Sequence, residues 1–252
     1  TVIDSGNFEV SCAPKETVSV AIPYNLPESH QPDSEYHLNL YACLKQDTLW
    51  EKAGYVIALE QFEIECDSTE TEPDISVMGL VNLSEPDSDI TVTGDNFSAV
   101  FSKKKCELTG YTVGGETIIE KGLTPTFTRA KLSNDNIWGG MENATVKSVS
   151  DLTCETIEDG KAVKISAKLE LSVSGASEEI VYTIYGDGQI KVERSLTLPR
   201  DIAEILKYGN TLTLPADYEY ITYYGRGEAD TYCDRKRGAP VGLYSQTVSD
   251  SF

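Results

Sequence analysis

The sequence predicts an all-β protein of sandwich type, on three observations. Apolar residues recur at every second position through many short segments, and Gly- and Asp-containing turns separate those segments. No segment carries a persuasive amphipathic helix period, so the layers available for packing are sheets.

Taken in order, TVSVAI (17–22) is the first strand-like run. HLNLYACL (37–44) alternates with Leu38, Leu40, Ala42 and Leu44 inward, and places Cys43 within a strand as a small buried hydrophobe. NFSAVFS (96–102) follows. AVKISAKLELSV (162–173) sets Val163, Ile165, Ala167, Leu169, Leu171 and Val173 on one face and Lys164, Ser166, Lys168, Glu170 and Ser172 on the other. VYTIYGDGQIKVERSLTL (181–198) is a hairpin turning at Gly186-Asp187-Gly188. DIAEILKYG (201–209) is a weak helix candidate, and TLTLP (211–215) and YEYITYY (218–224) close the strand set. The acidic, Pro-containing run near 67–88 marks a boundary between a small first unit and a longer second one.

With 252 residues the chain can form one large β domain or two ordinary ones. No apolar run approaches the roughly 20 residues that span a bilayer. TVIDSGNFEV lacks the basic and apolar regions of a leader. The formal charge of −20, from 21 Lys and Arg against 41 Asp and Glu, excludes a phosphate-backbone binder, and nucleic acid is not an expected partner. The six cysteines (Cys12, Cys43, Cys66, Cys106, Cys154, Cys233) form no CxxC pair, and only His30 and His37 could assist them. Neither a zinc site nor any other metal site is expected, and free thiols fit a cytoplasmic location, with disulfides in an exported protein the other reading.

Neither histidine lies near a GxSxG elbow, so a nucleophilic triad is not expected, and GYTVGGET and YGDGQ are turns rather than phosphate loops. Two carboxyls can cleave a glycoside when they stand about 5 Å (retaining) or about 6.5–9.5 Å (inverting) apart. The one acidic cluster among aromatics and glycines is YYGRGEADTYCDRKRGA (223–239), with Glu228, Asp230 and Asp234. In the plainer reading Asp234 pairs with a neighbouring Arg and the glycines shape a loop.

YGRGEADTYCDRKRGAPVGLY (224–244) resembles the YGxGPxExYxDR block of the glycoside hydrolase family 2 bacterial β-galactosidases. FTRAKLSNDNIWGG (127–140) is similar to their FxRAPLDNDxG, and WEKAGYVIALEQFEI (50–64) to their WxxAGHxxAxxQ strand pair. The three blocks stand in family order at near-family spacing, and the likeness extends over nearly the whole chain. Departures are Glu228-Ala229-Asp230 for the family's PxE, Lys131 for the Pro of RAPL, an extra residue before Gly139, and a short stretch between Gly140 and Val146.

The resemblance implies an immunoglobulin-like β-sandwich over 1–75, a linker over 76–87, and the first part of a large galactose-mutarotase-like sandwich over 88–252. It also implies that the catalytic Glu pair belongs to a barrel domain outside this chain, so that no catalytic residue is expected here. Mg and Na, which the family commonly binds, would sit in that barrel and leave no cofactor to these residues. The partners implied are the barrel domain, a β-galactoside and further copies in a homo-oligomer.

The loop Arg129, Asn134, Asp135, Asn136, Trp138 and Gly139 corresponds to a mobile loop at the rim of the family's substrate site. The alternative for Arg129 and Asp135 is a structural pair pinning the loop to the sheet, with Trp138 as packing. Tyr224, Arg226, Glu228, Tyr232, Asp234 and Arg235 are the sugar-facing candidates. Trp50 is expected to pack between sheets, Gly54 to permit a turn, and Gln61 to be structural. An autonomous carbohydrate-binding sandwich competes with this reading. A mutarotase-like enzyme fails on residue type, because no His follows His37 to act as acid or base.

Overall fold

The computed structural model describes residues 1–26, 34–65, 73–133, 135, 140–202, 204–228, 231–232 and 234–251. They form fifteen strands joined by turns and short 3-10 segments, with no α-helix among the described residues. The chain divides into two compact units. One is Thr1–Glu72 with Thr222–Gln246, the other Pro73–Ile221 with Thr247–Phe252.

In the first unit β1 (Tyr36–Cys43) and β2 (Val56–Ile64) pair antiparallel, from Tyr36 opposite Ile64 to Ala42 opposite Ala58. The chain returns to this unit through most of β14 (Tyr220–Arg226) and β15 (Val241–Thr247), which pair with each other. Residues 1–26 form no strand, so the alternation of TVSVAI is not realised as one. Alternation states which side chains would be buried together; a strand also needs a neighbour for its N–H and C=O groups. Cys43 is exposed rather than buried, and so is Ala42. Trp50 does not pack between sheets. It is 61 % exposed and meets Tyr55 edge-on at 5.4 Å beside the turn at Gly54.

The second unit is a sandwich of antiparallel strands. β3 (Asn82–Ser84), β4 (Asp89–Thr93), β5 (Phe97–Ser102), β6 (Glu107–Val113), β7 (Glu116–Ile119), β8 (Lys121–Thr126) and β13 (Gly209–Thr213) form one sheet. Its order is β13-β8-β6-β5-β4-β3, with β7 on β6. β9 (Val146–Ile157), β10 (Ala162–Leu171), β11 (Ser177–Tyr185) and β12 (Ile190–Thr197) form the other, in the order β12-β11-β10-β9.

Ile90, Val92, Ala99, Phe101 and Leu108 from one sheet meet Val163, Ile165, Leu169, Ile180, Tyr182 and Ile184 from the other in a single core. Each large side chain so buried contributes about 1.5–3 kcal/mol, which is why the alternation along β10 fixes its face and its register. The expected 181–198 hairpin is β11–β12. The helix candidate at 201–209 is not helical among its described residues, and Ile202 and Ile205 instead join a second cluster of Phe127, Met141, Ala144, Leu171 and Ala176. Tertiary burial outweighs a weak local period there.

Polar groups also cross the interior of this unit. Glu178 on β11 is fully buried, and Arg194 on β12 donates from Nη2 to its Oε2 at 3.0 Å. Arg194 Nε lies 2.7 Å from Oε1 as an ionic contact outside hydrogen-bond geometry. The same guanidinium donates to the carbonyl of Leu123 on β8 and to Asn210 on β13, so one side chain ties the two sheets. Tyr208 donates to Glu178 Oε1 at 2.5 Å, and burial, then that carboxylate, push its hydroxyl pKa up. Cys106, also interior, has its thiol pushed up to about 12, mainly by burial.

Removing one partner of such a buried pair strands the other charge in the core. Arg194→Ala is therefore expected to destabilise the protein by about 3–5 kcal/mol, read from the urea midpoint. A midpoint equivalent to less than about 1 kcal/mol, the range of an exposed pair, would overturn this account.

Candidate functional site

The 125–140 segment leaves β8 and is held at both ends. Phe127 is buried and stacks on Tyr208 at 5.9 Å with 11° between the rings, while Met141 is buried in the same cluster. Between them Arg129 and Asp135 form a two-pronged pair. Nη1 donates to Oδ2 at 2.7 Å and Nη2 to Oδ1 at 3.0 Å. The Asp135 carboxylate also accepts the Leu132 N–H at 2.6 Å and is 4 % exposed as a residue.

That N–H, then the Arg129 guanidinium, hold the Asp135 carboxyl below the usual carboxylate range. Charge-assisted paired bonds fix direction as well as distance, so the root of the loop is set against its own backbone. Further on, Glu142 accepts the Gly140 N–H at 2.7 Å and pairs with Lys131 at 3.1 Å. Backbone N–H groups, then Lys131, lower its carboxyl to about 2. Gly140 has φ +107°, and a Cβ there would stand 3.1 Å from Ile202, so the turn requires glycine. Asn134, Asn136, Trp138 and Gly139 lie outside the described residues.

The second candidate group belongs to the other compact unit. Tyr224 donates to Glu35 Oε2 at 2.7 Å, and His37 Nε2 stands 3.2 Å from the Tyr224 oxygen and 3.3 Å from Glu35. The tyrosine bond, then His37, lower the Glu35 carboxyl, while burial and then Glu35 raise the Tyr224 hydroxyl to about 12. Arg226 donates to the carbonyls of Lys236 and Ala239 at 2.9 and 3.0 Å and so closes its own loop. Glu228, Asp234 and Arg235 are exposed and Tyr232 is half-buried; Asp230 lies outside the described residues. Asp234 forms no ion pair with a described residue.

Gln61 holds this hairpin from below. Its Nε2 donates to the Val241 carbonyl at 2.8 Å and its Oε1 accepts the Val241 N–H at 2.7 Å, so an amide side chain substitutes for a strand partner. A Cβ at Gly227 would lie 2.5 Å from the Tyr223 hydroxyl and 2.7 Å from Tyr244, which explains glycine there. Among the described residues no group of three or more His, Cys, Asp or Glu side chains is disposed to hold a metal.

These two loop systems sit on a chain that two family models match in succession. The model for β-galactosidase domain 4 matches residues 1–65, and that for the β-galactosidase small chain matches residues 93–252. The chain belongs to the β-galactosidase family.

It is 31 % identical to the β-galactosidase of Priestia megaterium, over 96 % of this chain and 24 % of that protein. It is 26 % identical to that of Halalkalibacterium halodurans (96 % and 25 %) and 28 % identical to that of Lactobacillus delbrueckii subsp. bulgaricus (95 % and 24 %). The chain thus spans about a quarter of the length of the curated β-galactosidases it matches. No helix among the described residues is long and apolar enough to cross a membrane.

Of the rim candidates, Arg129 and Asp135 are brought together. Of the sugar-facing candidates, the Tyr224 hydroxyl and the Arg226 guanidinium are engaged inside their own unit. The Glu35–His37–Tyr224 cluster joins residues nearly 190 apart in sequence. The alternation of 37–44 places His37 on the face shared with Asn39, and that polar face was the available signal.

Two outcomes follow for these contacts. Asp135→Ala removes the acceptor of the Leu132 N–H, and that amide is expected to exchange with deuterium at least about tenfold faster, as loss of a hydrogen bond to a charged group implies. Unchanged exchange would mean that the pin does not hold the loop. In Tyr224→Phe the Glu35 carboxyl is expected to titrate closer to the ordinary glutamate value of about 4.3, followed by NMR. Because its folded-state pKa is depressed, its stabilising contribution is present above the ordinary value and lost as pH falls through the folded one. The variant should therefore lose less stability on acidification.

Proposed function

We propose that this chain is the non-catalytic C-terminal region of a β-galactosidase that hydrolyses terminal β-D-galactosides such as lactose, and that it completes the rim of the active site and the assembly. One observation carries the reading: domain 4 and small-chain matches follow each other along a chain that spans about a quarter of its relatives. The bond-breaking carboxyls, and the Mg and Na of the family, belong on this reading to a catalytic portion with which the chain associates.

The pinned root at Arg129 and Asp135 supports a rim role, since it aims a loop without entering the chemistry. Asn134, Asn136, Trp138 and Gly139 would then border the substrate. Exposed Glu228, Asp234 and Arg235, with half-buried Tyr232, would contribute to the same assembly. An autonomous sugar-binding module is less well supported, because the Tyr224 and Arg226 polar groups that would grip a sugar are already engaged.

The test is hydrolysis of a chromogenic β-galactoside by this chain alone, then with the catalytic portion of the Priestia megaterium enzyme, lacking the matching quarter, added. Inactivity alone and turnover on mixing are the expected pair of results. Turnover by the chain alone would overturn the reading and direct attention to Glu228 and Asp234.

A further inference from the structure

We propose that Tyr208 is a positioning residue for the loop rooted by Arg129 and Asp135, and that it holds this loop in place from the buried Glu178–Arg194 pair by way of Phe127. That the loop borders substrate rests on the reading above. The loop leaves the end of β8, and the strand facing that exit is β13. Gly209 lies opposite Thr126 and Asn210 opposite Pro125. One residue further out, Tyr208 stacks on Phe127.

The side chains on either side of Gly209 are gripped by one buried pair. The Tyr208 hydroxyl donates to Glu178 Oε1 at 2.5 Å, and Arg194 donates to the Asn210 side-chain oxygen. Arg194 also donates to the Leu123 carbonyl on β8, so the pair holds both strands that meet at the loop's exit.

Without this grip β13 is weakly placed. It lies at the edge of its sheet, is five residues long, and its register with β8 shifts between Thr211 and Leu212. A short, irregular edge strand specifies its register poorly. Tyr208 is 41 % exposed, so burial alone does not fix its ring. The hydroxyl bond does, because a hydrogen bond to a carboxylate constrains direction as well as distance. Phe127, buried with Met141 and Leu171, follows the ring stacked on it. Two residues later Arg129 presents its fork to both oxygens of Asp135, at 2.7 and 3.0 Å, a match that a small displacement of the root spoils.

The test compares two tyrosine hydroxyls. Tyr208→Phe keeps the ring and its stack and removes the bond to Glu178. Tyr182→Phe is the control: its hydroxyl donates to the Cys106 carbonyl at 3.2 Å, and the residue belongs to the other core cluster, not that of Phe127. For each chain alone, NMR follows deuterium exchange of the Leu132 N–H that Asp135 accepts, and the urea midpoint reports overall stability. Kinetics on a chromogenic β-galactoside are then measured with the truncated Priestia megaterium enzyme, at chain concentrations that saturate recovery.

Tyr208→Phe should speed Leu132 exchange at least about tenfold, with Tyr182→Phe within about twofold of wild type. With Tyr208→Phe, KM should rise at least about threefold while kcat stays within about twofold, as expected when binding is lost equally from substrate and transition state. Unchanged Leu132 exchange in Tyr208→Phe, or equal acceleration in both variants, would overturn the positioning role and leave the accessory reading intact. Faster exchange with an unchanged KM would overturn the link from Tyr208 to substrate. Failure of the wild-type chain to restore turnover would overturn the accessory reading, and the exchange comparison would still decide whether Tyr208 positions the loop.

Discussion

The second unit depends on the buried pair of Glu178 and Arg194. Two charges withdrawn from water are tolerable when most of their polar atoms find partners, and here the partners come from both sheets, with Arg194 Nε held to Glu178 by ionic contact alone. Arg194 reaches the Leu123 carbonyl and Asn210, and Glu178 takes the Tyr208 hydroxyl. That demand fixes where β12 lies over β8 and β13 more narrowly than apolar packing does, since greasy contacts tolerate small slips and paired hydrogen bonds do not.

The constraint extends outward. Tyr208, held by Glu178, stacks on Phe127, and Phe127 precedes Arg129 by two residues. The position of Arg129 therefore follows from a charge pair in the core, and Asp135 follows from Arg129. A loop tip beyond such a root can adapt to a ligand while its base stays registered to the sheet. This is the arrangement expected when a scaffold, rather than a flexible tail, presents a functional loop.

The sandwich was legible in sequence because its signal is periodic burial. β10 emerges from alternation with its facing residues assigned, and the β11–β12 hairpin from a Gly-Asp-Gly turn. The same signal misled at TVSVAI and Cys43, both in the first unit. Alternation reports which residues a second layer would bury; it is silent on whether that layer is supplied by the same chain. The Arg129–Asp135 pair was legible as one of two readings, because Arg and Asp six apart in a loop can meet. Gln61 clasping Val241 joins residues 180 apart, a separation no local pattern encodes.

The two units consequently make different use of similar strand sequences. In the second, apolar faces find each other and leave Asp135, the one buried carboxylate of the rim loop, to be satisfied locally. In the first, the segment 222–246 meets the hairpin through hydrogen bonds, from Tyr224 to Glu35 and from Gln61 to Val241, on its polar face. Hydrogen bonds that exchange with water contribute about 0.5–1.5 kcal/mol each, so they select an arrangement more than they stabilise one. An arrangement selected in this way depends on the two strands keeping their register, since a slip would break the Gln61–Val241 and Tyr224–Glu35 bonds together.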